Sequence, residues 1–283
     1  MKPGQPDLPS YLAYAETVIL SPSASAAAPV LQAPAKGELR VGADLGTAYL
    51  VLVVLDEGGQ PLAGEYQFAQ VVRDGLVVDF IGAADRLAAM KKRLERRLGR
   101  PLTHAASGYP PGVPQAEVRS TGHVLETAGF VCSGLIDEPS AANAVLGIRR
   151  GAIVDVGGGT TGIAIIEDGQ VVYTADEPTG GTHFSLVIAG ALNISLEQAE
   201  ALKTDPQEQP RLFSTVLPVM EKVGNIISRH IAGRSVDQLF LVGGASAFMR
   251  MPEVIQDYTG VPTRAPERPL FVTPLGIALH DVW

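Results

Sequence analysis

Short apolar runs separated by turn residues dominate the chain from Leu39 onward. Leu39–Ala43, Tyr49–Leu55 and Ala63–Phe68 are apolar or alternating, which predicts three strands. Asp44-Leu45-Gly46-Thr47 and Asp56-Glu57-Gly58-Gly59 lie between them and carry the residue types that turn a chain. Residues 81–98 then set Leu87, Met90, Leu94 and Leu98 on one face of a helix. The other face holds Lys91, Lys92, Arg93, Arg96 and Arg97, which reads as a solvated surface. A strand at His104–Ser107, a helix at Gln115–Ala128, a strand at Val131–Leu135 and a helix at Ser140–Leu146 complete this half.

The pattern restarts at Ala152–Val156. A Gly157-Gly158-Gly159-Thr160 turn, a strand at Ile163–Glu167, an Asp168-Gly169 hairpin and a strand at Val171–Thr174 repeat the opening meander. Helices are expected at about 182–192, 195–203 and 211–232, a strand at Leu239–Val242 and a helix at Pro252–Tyr258. A meander continuing as β-α-β, done twice, predicts an α/β protein of two similar halves. Asp44 and Asp155 fall at equivalent places in them. Residues 1–36 have another texture, rich in Pro and in Ser/Ala, and predict a flexible N-terminal tail. Within it Leu8, Tyr11, Leu12, Ala15 and Ile19 recur at near-helical spacing. That stripe either packs on the domain or docks a partner.

Composition narrows the function classes. The chain has 283 residues, 46% hydrophobic and 18% charged, enough apolar material for a buried core. Its net charge is −8, the wrong sign for a protein that lives on phosphate backbones, so no nucleic-acid partner is expected. The longest clean apolar run, Ala48–Leu55, is far shorter than the ~20 residues that span a bilayer, so no membrane partner is expected either. A single cysteine, Cys132, excludes an internal disulfide and a four-cysteine zinc site, and reads as a small buried apolar residue. A cytoplasmic globular protein is the expectation.

The candidate chemistry sits in the two matching turns. Each follows an aspartate at a strand end with glycine and threonine, and such turns bring backbone N–H groups close to phosphate oxygens. A carboxylate beside a phosphate is repulsive, by about 4 kcal/mol at ~4 Å in an effective dielectric of about 20. A divalent cation removes that cost, and Mg²⁺ with retained waters is the usual one. The alternative is two glycine-rich hairpins with turn-forming aspartates. Gly157-x-Gly159-x-x-Gly162 satisfies the dinucleotide pattern, but a β-type run rather than a helix follows it, so that motif is rejected. No P-loop sequence is present.

Val41–Thr47 and Ile153–Thr161 resemble the two phosphate loops of the actin/Hsp70 ATPase superfamily. Asp137-Glu138-Pro139-Ser140-Ala141-Ala142 resembles its first connecting helix, Leu241–Ser246 its adenosine loop and Thr273–Ala278 its second connecting helix. The resemblance implies a duplicated ribonuclease H-like fold with two lobes around a nucleotide cleft. The lobes would span 37–148 and 149–272, with a C-terminal connecting helix at 273–283. Arg73–Phe80 further resembles bacterial actin-like members, and Val71–Phe80, Asp155–Ile165, Thr174–Glu177 with Gly180-Gly181, and Ile194–Glu200 resemble the ethanolamine-utilization J family within that superfamily.

Roles follow from the resemblance at matching positions. Asp44 and Asp155 would hold Mg²⁺ through water. Gly46, Thr47, Gly157, Gly158, Gly159 and Thr160 would cradle the phosphates of ATP, and Gly181 would also contact the nucleotide. Glu138 would position the attacking water. Glu200 and Lys203 would meet the adenosine, the alternative being an exposed i,i+3 ion pair. Gly243, Gly244 and Ser246 would shape the base pocket. Only 88 residues separate Asp155 from Gly243 (243 − 155), so the outer part of the second lobe is expected to be reduced. The functions implied are a weak ATPase acting as a chaperone-like factor of ethanolamine catabolism, a filament-forming bacterial actin, or a nucleotide-binding adaptor without turnover. The first would serve a protein client, ethanolamine ammonia-lyase or components of a bacterial microcompartment, and would associate with that compartment. Self-association is compatible with all three.

Overall fold

A computed structural model describes residues 7–31, 37–73 and 76–281. Asp74 and Gly75 of the Arg73–Phe80 motif, and residues 1–6 and 32–36 of the expected tail, lie outside the described residues. The chain divides into two compact units. One comprises residues up to Gly147 with those from Phe271 onward, the other Ile148–Leu270.

The first unit opens with helix α1 (Leu8–Val18), strand β1 (Ile19–Leu20) and helix α2 (Pro22–Ala27). Strands β2 (Arg40–Leu45), β3 (Tyr49–Leu55) and β4 (Pro61–Phe68) form the antiparallel meander expected from the apolar runs. A small hairpin, β5 (Val72–Arg73) and β6 (Leu76–Val77), leads into helix α3 (Phe80–Leu98). Asp79 caps the start of α3 by accepting from Gly82 N, and Gly99 ends it at φ 65°, where an L side chain is strained. Strand β7 (His104–Tyr109), helix α4 (Gln115–Thr127), strand β8 (Val131–Asp137) and helix α5 (Glu138–Leu146) follow. The sheet order is β1-β4-β3-β2-β7-β8, with β7 parallel to β2 and β8 parallel to β7. Val41, Ala43 and Leu45 alternate onto the core face with Leu87, Met90 and Leu94 of α3.

The second unit repeats this plan. Strands β9 (Gly151–Val156), β10 (Thr161–Glu167) and β11 (Gln170–Glu177) form the meander. Asp168 (φ 52°) and Gly169 (φ 83°) turn the second hairpin, as the Asp-Gly pair predicts. Helices α6 (Gly181–Leu192), α7 (Leu196–Thr204) and α8 (Gln209–Ile231) precede strand β12 (Leu239–Val242), helix α9 (Met251–Thr259) and strand β13 (Thr263–Arg264). The order β11-β10-β9-β12-β13 matches β4-β3-β2-β7-β8 strand for strand. Phe184, Val216, Met220, Ile227 and Ile255 build its core against Val154 and Val156.

Three expectations need correction. Residues 8–27 are not a flexible tail: Tyr11, Leu12, Ala15 and Ile19 are buried, and β1 pairs in parallel with β4. The amphipathic stripe therefore packs on the domain, as its helical spacing allowed. The basic face of α3 is not simply solvated, because this N-terminal segment folds over part of it. Arg93 grips the fully buried Glu65 of β4 through Nε, at 3.1 and 3.0 Å. Arg97, 4% exposed, donates to Gly64 O at 3.3 Å and Val18 O at 3.4 Å. Lastly, helix α10 (Val272–Leu279) is no separate C-terminal piece but part of the first unit. It crosses α5 so closely that a Cβ on Gly276 would fall 1.8 Å from Ala141 O. Beyond it the buried Asp281 accepts from Val41 N at 2.6 Å and Ser133 Oγ at 2.5 Å, pinning the end of the helix to β2 and β8. Among the described residues no helix is long and apolar enough to cross a membrane.

Candidate functional site

The repeated sheets put the two aspartates in the same place. Asp44 is the fifth residue of six in β2, and Asp155 the fifth of six in β9. Strand alternation turns both away from the helical core face occupied by their neighbours Ala43 and Val154. Both are half-buried, with the glycine turn immediately after them. In the first unit that turn is tight: a Cβ on Gly46 would lie 2.8 Å from Tyr49 O. Thr47 beside it is half-buried. Glu138 is the first residue of α5, directly after Asp137, which caps the helix by accepting from Ser140 N at 2.9 Å. Its side chain packs near Gly108 of β7, where a Cβ would come within 3.4 Å of Glu138 Cγ.

The second unit brings most of the candidate residues into one cluster. Gly157 N donates to Thr160 O at 3.0 Å and closes the turn. The start of α6 is bonded onto it: Gly181 N donates to Gly157 O and Thr182 N to Gly158 O, each at 2.8 Å. The approach demands glycine at 180, where a Cβ would fall 2.7 Å from Gly157 O. Thr161 Oγ1 donates to Thr179 O at 2.6 Å and holds the loop ahead of α6 in place. Among the described residues no backbone carbonyl outside the regular elements accepts from the N–H groups of Gly158, Gly159 and Thr160, and Gly159 is buried. A glycine turn that keeps its N–H groups out of the backbone ladder suits an anionic ligand.

Glu200 and Lys203 are not an exposed pair. They are 6% and 7% exposed, with Nζ donating to Glu200 Oε2 at 2.6 Å and to Gly181 O at 3.1 Å. Burial pushes the Lys203 ammonium down from its ordinary value, and Glu200 opposes that push. Gly243, at φ 84°, ends β12 against the aspartate strand: a Cβ there would lie 2.2 Å from Asp155 Oδ1. Gly244 opens a short 3₁₀ turn, and Ser246 within it donates to Val242 O at 2.6 Å. Ser246 is thus buried and bonded to backbone, which shapes the loop. The same turn meets α6, where a Cβ on Gly181 would be 3.1 Å from Ala245 Cβ.

Two contributors escape sequence reasoning. Ser185, 1% exposed on α6, donates to Glu200 Oε2 at 2.6 Å. Gln209, at the start of α8, donates to Lys203 O and accepts from Met249 N, both at 2.9 Å, joining the end of α7 to the residues after the 3₁₀ turn. Only the four-residue spacing of Ser185 from Gly181 on a helix hinted at the first. Nothing local marked the second. Among the described residues no three His, Cys, Asp or Glu side chains converge to hold a metal. The strand-end carboxylate of each unit is a hard oxygen donor, the kind that a hydrated divalent cation takes. Cys132 is half-buried on β8, and burial pushes its thiol up, away from reactivity.

Comparisons with known proteins agree with this architecture. Residues 63–204 match the family model of the MreB/Mbl protein, and residues 152–276 that of the cell division protein FtsA. The ethanolamine utilization protein EutJ of Escherichia coli K12 is 42% identical over 250 residues, covering 87% of this chain and 88% of that protein. The crystal structure of EutJ from Carboxydothermus hydrogenoformans superposes with a TM-score of 0.89 at 42% identity, over 96% of this chain and 98% of that one. MreB5 of Spiroplasma citri bound to AMPPNP superposes with a TM-score of 0.69 at 17% identity, over 87% and 96%, a likeness of fold.

Proposed function

The chain belongs to the family of the ethanolamine utilization protein EutJ, and from that premise we propose that it is an ATP-binding, slowly hydrolysing, chaperone-like factor of ethanolamine catabolism. Its fold is that of the actin/Hsp70-like ATPases. The observation that carries the reading is the strand-end aspartate with its glycine turn, repeated at the same position of two identically ordered sheets. The N–H groups of Gly158, Gly159 and Thr160, which among the described residues are given to no backbone carbonyl outside the regular elements, add donors of the kind phosphate oxygens need.

In this reading Gly46, Thr47, Gly157 to Thr160 and Gly181 bind phosphate. Glu200 and Lys203 face the adenosine, and Gly243, Gly244 and Ser246 bound the base pocket. Asp44 and Asp155 hold Mg²⁺ through water, and the bound cation supplies the charge that offsets carboxylate–phosphate repulsion. Glu138 holds the water that attacks. The client is a protein of the same catabolic system, ethanolamine ammonia-lyase or a component of a bacterial microcompartment, and the factor works in the cytoplasm at that compartment.

Calorimetry with ATP tests the site. Binding should weaken when EDTA removes the divalent cation and weaken by at least about tenfold in Asp155→Ala, the loss of one charge-assisted interaction. Equal affinity under all three conditions would refute the assignment.

A further inference from the structure

The buried pair at the base end is linked to the phosphate turn by one continuous chain of hydrogen bonds. Gly157 O accepts from Gly181 N at 2.8 Å. Gly181 O accepts from Lys203 Nζ at 3.1 Å, and the same ammonium donates to Glu200 Oε2 at 2.6 Å. Ser185 Oγ completes the chain by donating to that same carboxylate oxygen at 2.6 Å. Every side chain in it is buried: Ser185 1%, Glu200 6% and Lys203 7% exposed.

From this arrangement we propose that Ser185 is a positioning residue, locking Glu200 and Lys203 in the one geometry that reads adenosine and ties it to the phosphate turn. The inference rests on the nucleotide reading above and names a residue outside its ligand set. Lys203 and Glu200 lie three residues apart on α7, so the helix by itself sets only their spacing. Long side chains of this kind carry several rotamers, and a mobile pair would pair with each other in more than one way. Ser185 comes from a different helix, and its short side chain has one torsion to the hydroxyl. The hydroxyl therefore fixes where Oε2 sits from outside α7. With Oε2 fixed, the ammonium that bridges it to Gly181 O is fixed too, and Gly181 is the residue whose N–H is bonded to the phosphate turn.

The serine is suited to this work in a way its neighbours are not. A carboxylate at 185 would face Glu200 as a like charge in a buried setting. A small apolar residue there would leave a buried carboxylate oxygen one donor short. Threonine keeps the hydroxyl and adds one methyl group, which makes it the conservative replacement.

The test uses the full-length protein and two readouts, of which one needs no nucleotide. The first is the rate at which an amine-acylating reagent modifies Lys203, followed by peptide mass analysis. The second is ATP affinity by calorimetry. Ser185→Ala should raise the acylation rate of Lys203 at least tenfold and weaken ATP binding about tenfold, with far-ultraviolet dichroism unchanged. Ser185→Thr should bring both values back to within about threefold of the parent. An unchanged Lys203 rate in Ser185→Ala overturns the proposal whatever ATP does. A faster Lys203 rate with unchanged ATP affinity also overturns it, because the lock would then not serve the adenosine. Parent protein that binds no ATP, while Ser185→Ala still frees Lys203, defeats the nucleotide reading instead and leaves the lock on the pair standing.

Discussion

Leucine 12 offers the sharpest test of the N-terminal segment. It is 1% exposed on α1, which packs against β4. Leu12→Ala removes three carbon atoms from a filled position, and the loss combines the transfer term with a cavity that α1 can only partly close. Such changes cost about 2–5 kcal/mol. In a unit of this size each kcal/mol lowers the melting temperature by about 2–4 °C, so a drop of about 4–20 °C is expected. The loss should reach beyond α1, because the same segment covers Arg97 and abuts Glu65, whose burial depends on it. Urea unfolding followed by circular dichroism gives the free energy. Tyr14→Ala on the same helix, 51% exposed, serves as the control and should move stability by no more than about 0.5 kcal/mol. A Leu12→Ala protein within about 1 kcal/mol of the parent would show that α1 is a dispensable appendage and restore the docking-peptide reading.

Two further outcomes are expected. Burial, with Asp56 nearby, pushes the Tyr11 phenol above its ordinary value, and its hydroxyl donates to Gly59 O at 2.9 Å. The unfolded chain releases that proton first, so this group's stabilisation is whole below pH ~10 and is lost above it at about 1.4 kcal/mol per pH unit. Urea midpoints from pH 8 to 11.5 should fall less steeply for Tyr11→Phe than for the parent, and parallel curves would disprove the coupling. Turnover of ATP should be slow, on the order of 10⁻³ s⁻¹ as in unassisted nucleotide switches. Glu138→Gln should cut the single-turnover rate by about 10²-fold while leaving ATP bound, and an unchanged rate would remove Glu138 from the chemistry.

The duplicated plan was legible because its signals are local. Tyr49–Leu55 is a strand to the residue, the Asp168-Gly169 pair turns a hairpin, and Thr161 begins a strand where a dinucleotide fold would need a helix. The equivalence of Asp44 and Asp155 follows from the same local pattern. What stayed hidden depends on partners distant along the chain. Arg93 meets Glu65 across 28 residues, Arg97 meets Val18 across 79, and Asp281 meets Val41 across 240. A basic helix face looks solvated until the segment that covers it is placed. The stripe of Leu8, Tyr11, Leu12, Ala15 and Ile19 held that information, but no periodicity states which surface a stripe will cover. Glu200 and Lys203 were legible as a pair, and their burial was not, because α6 and the turn after β12 enclose them from elsewhere in the sequence.

The two halves share strand order and the position of the aspartate, yet they are elaborated in opposite ways. The first unit spends its additions on its outer edge, where β1 extends the sheet beyond β4 and α1 and α2 buttress it. The second unit spends them beside its glycine turn, where α6 and α7 gather Ser185, Glu200 and Lys203 and bond onto Gly157 and Gly158. A duplicated scaffold held by the same meander and core therefore need not share the work of a site equally. Substitutions in the first unit's additions should register in stability. Those around α6 and α7 should register in ligand affinity, because there the buried polar bonds run into the turn itself rather than into the core. The strand-end aspartates belong to both accounts. Each is the fifth residue of a six-residue strand with a sharp glycine turn close behind it, so the backbone holds its carboxylate at a fixed place at the end of the sheet.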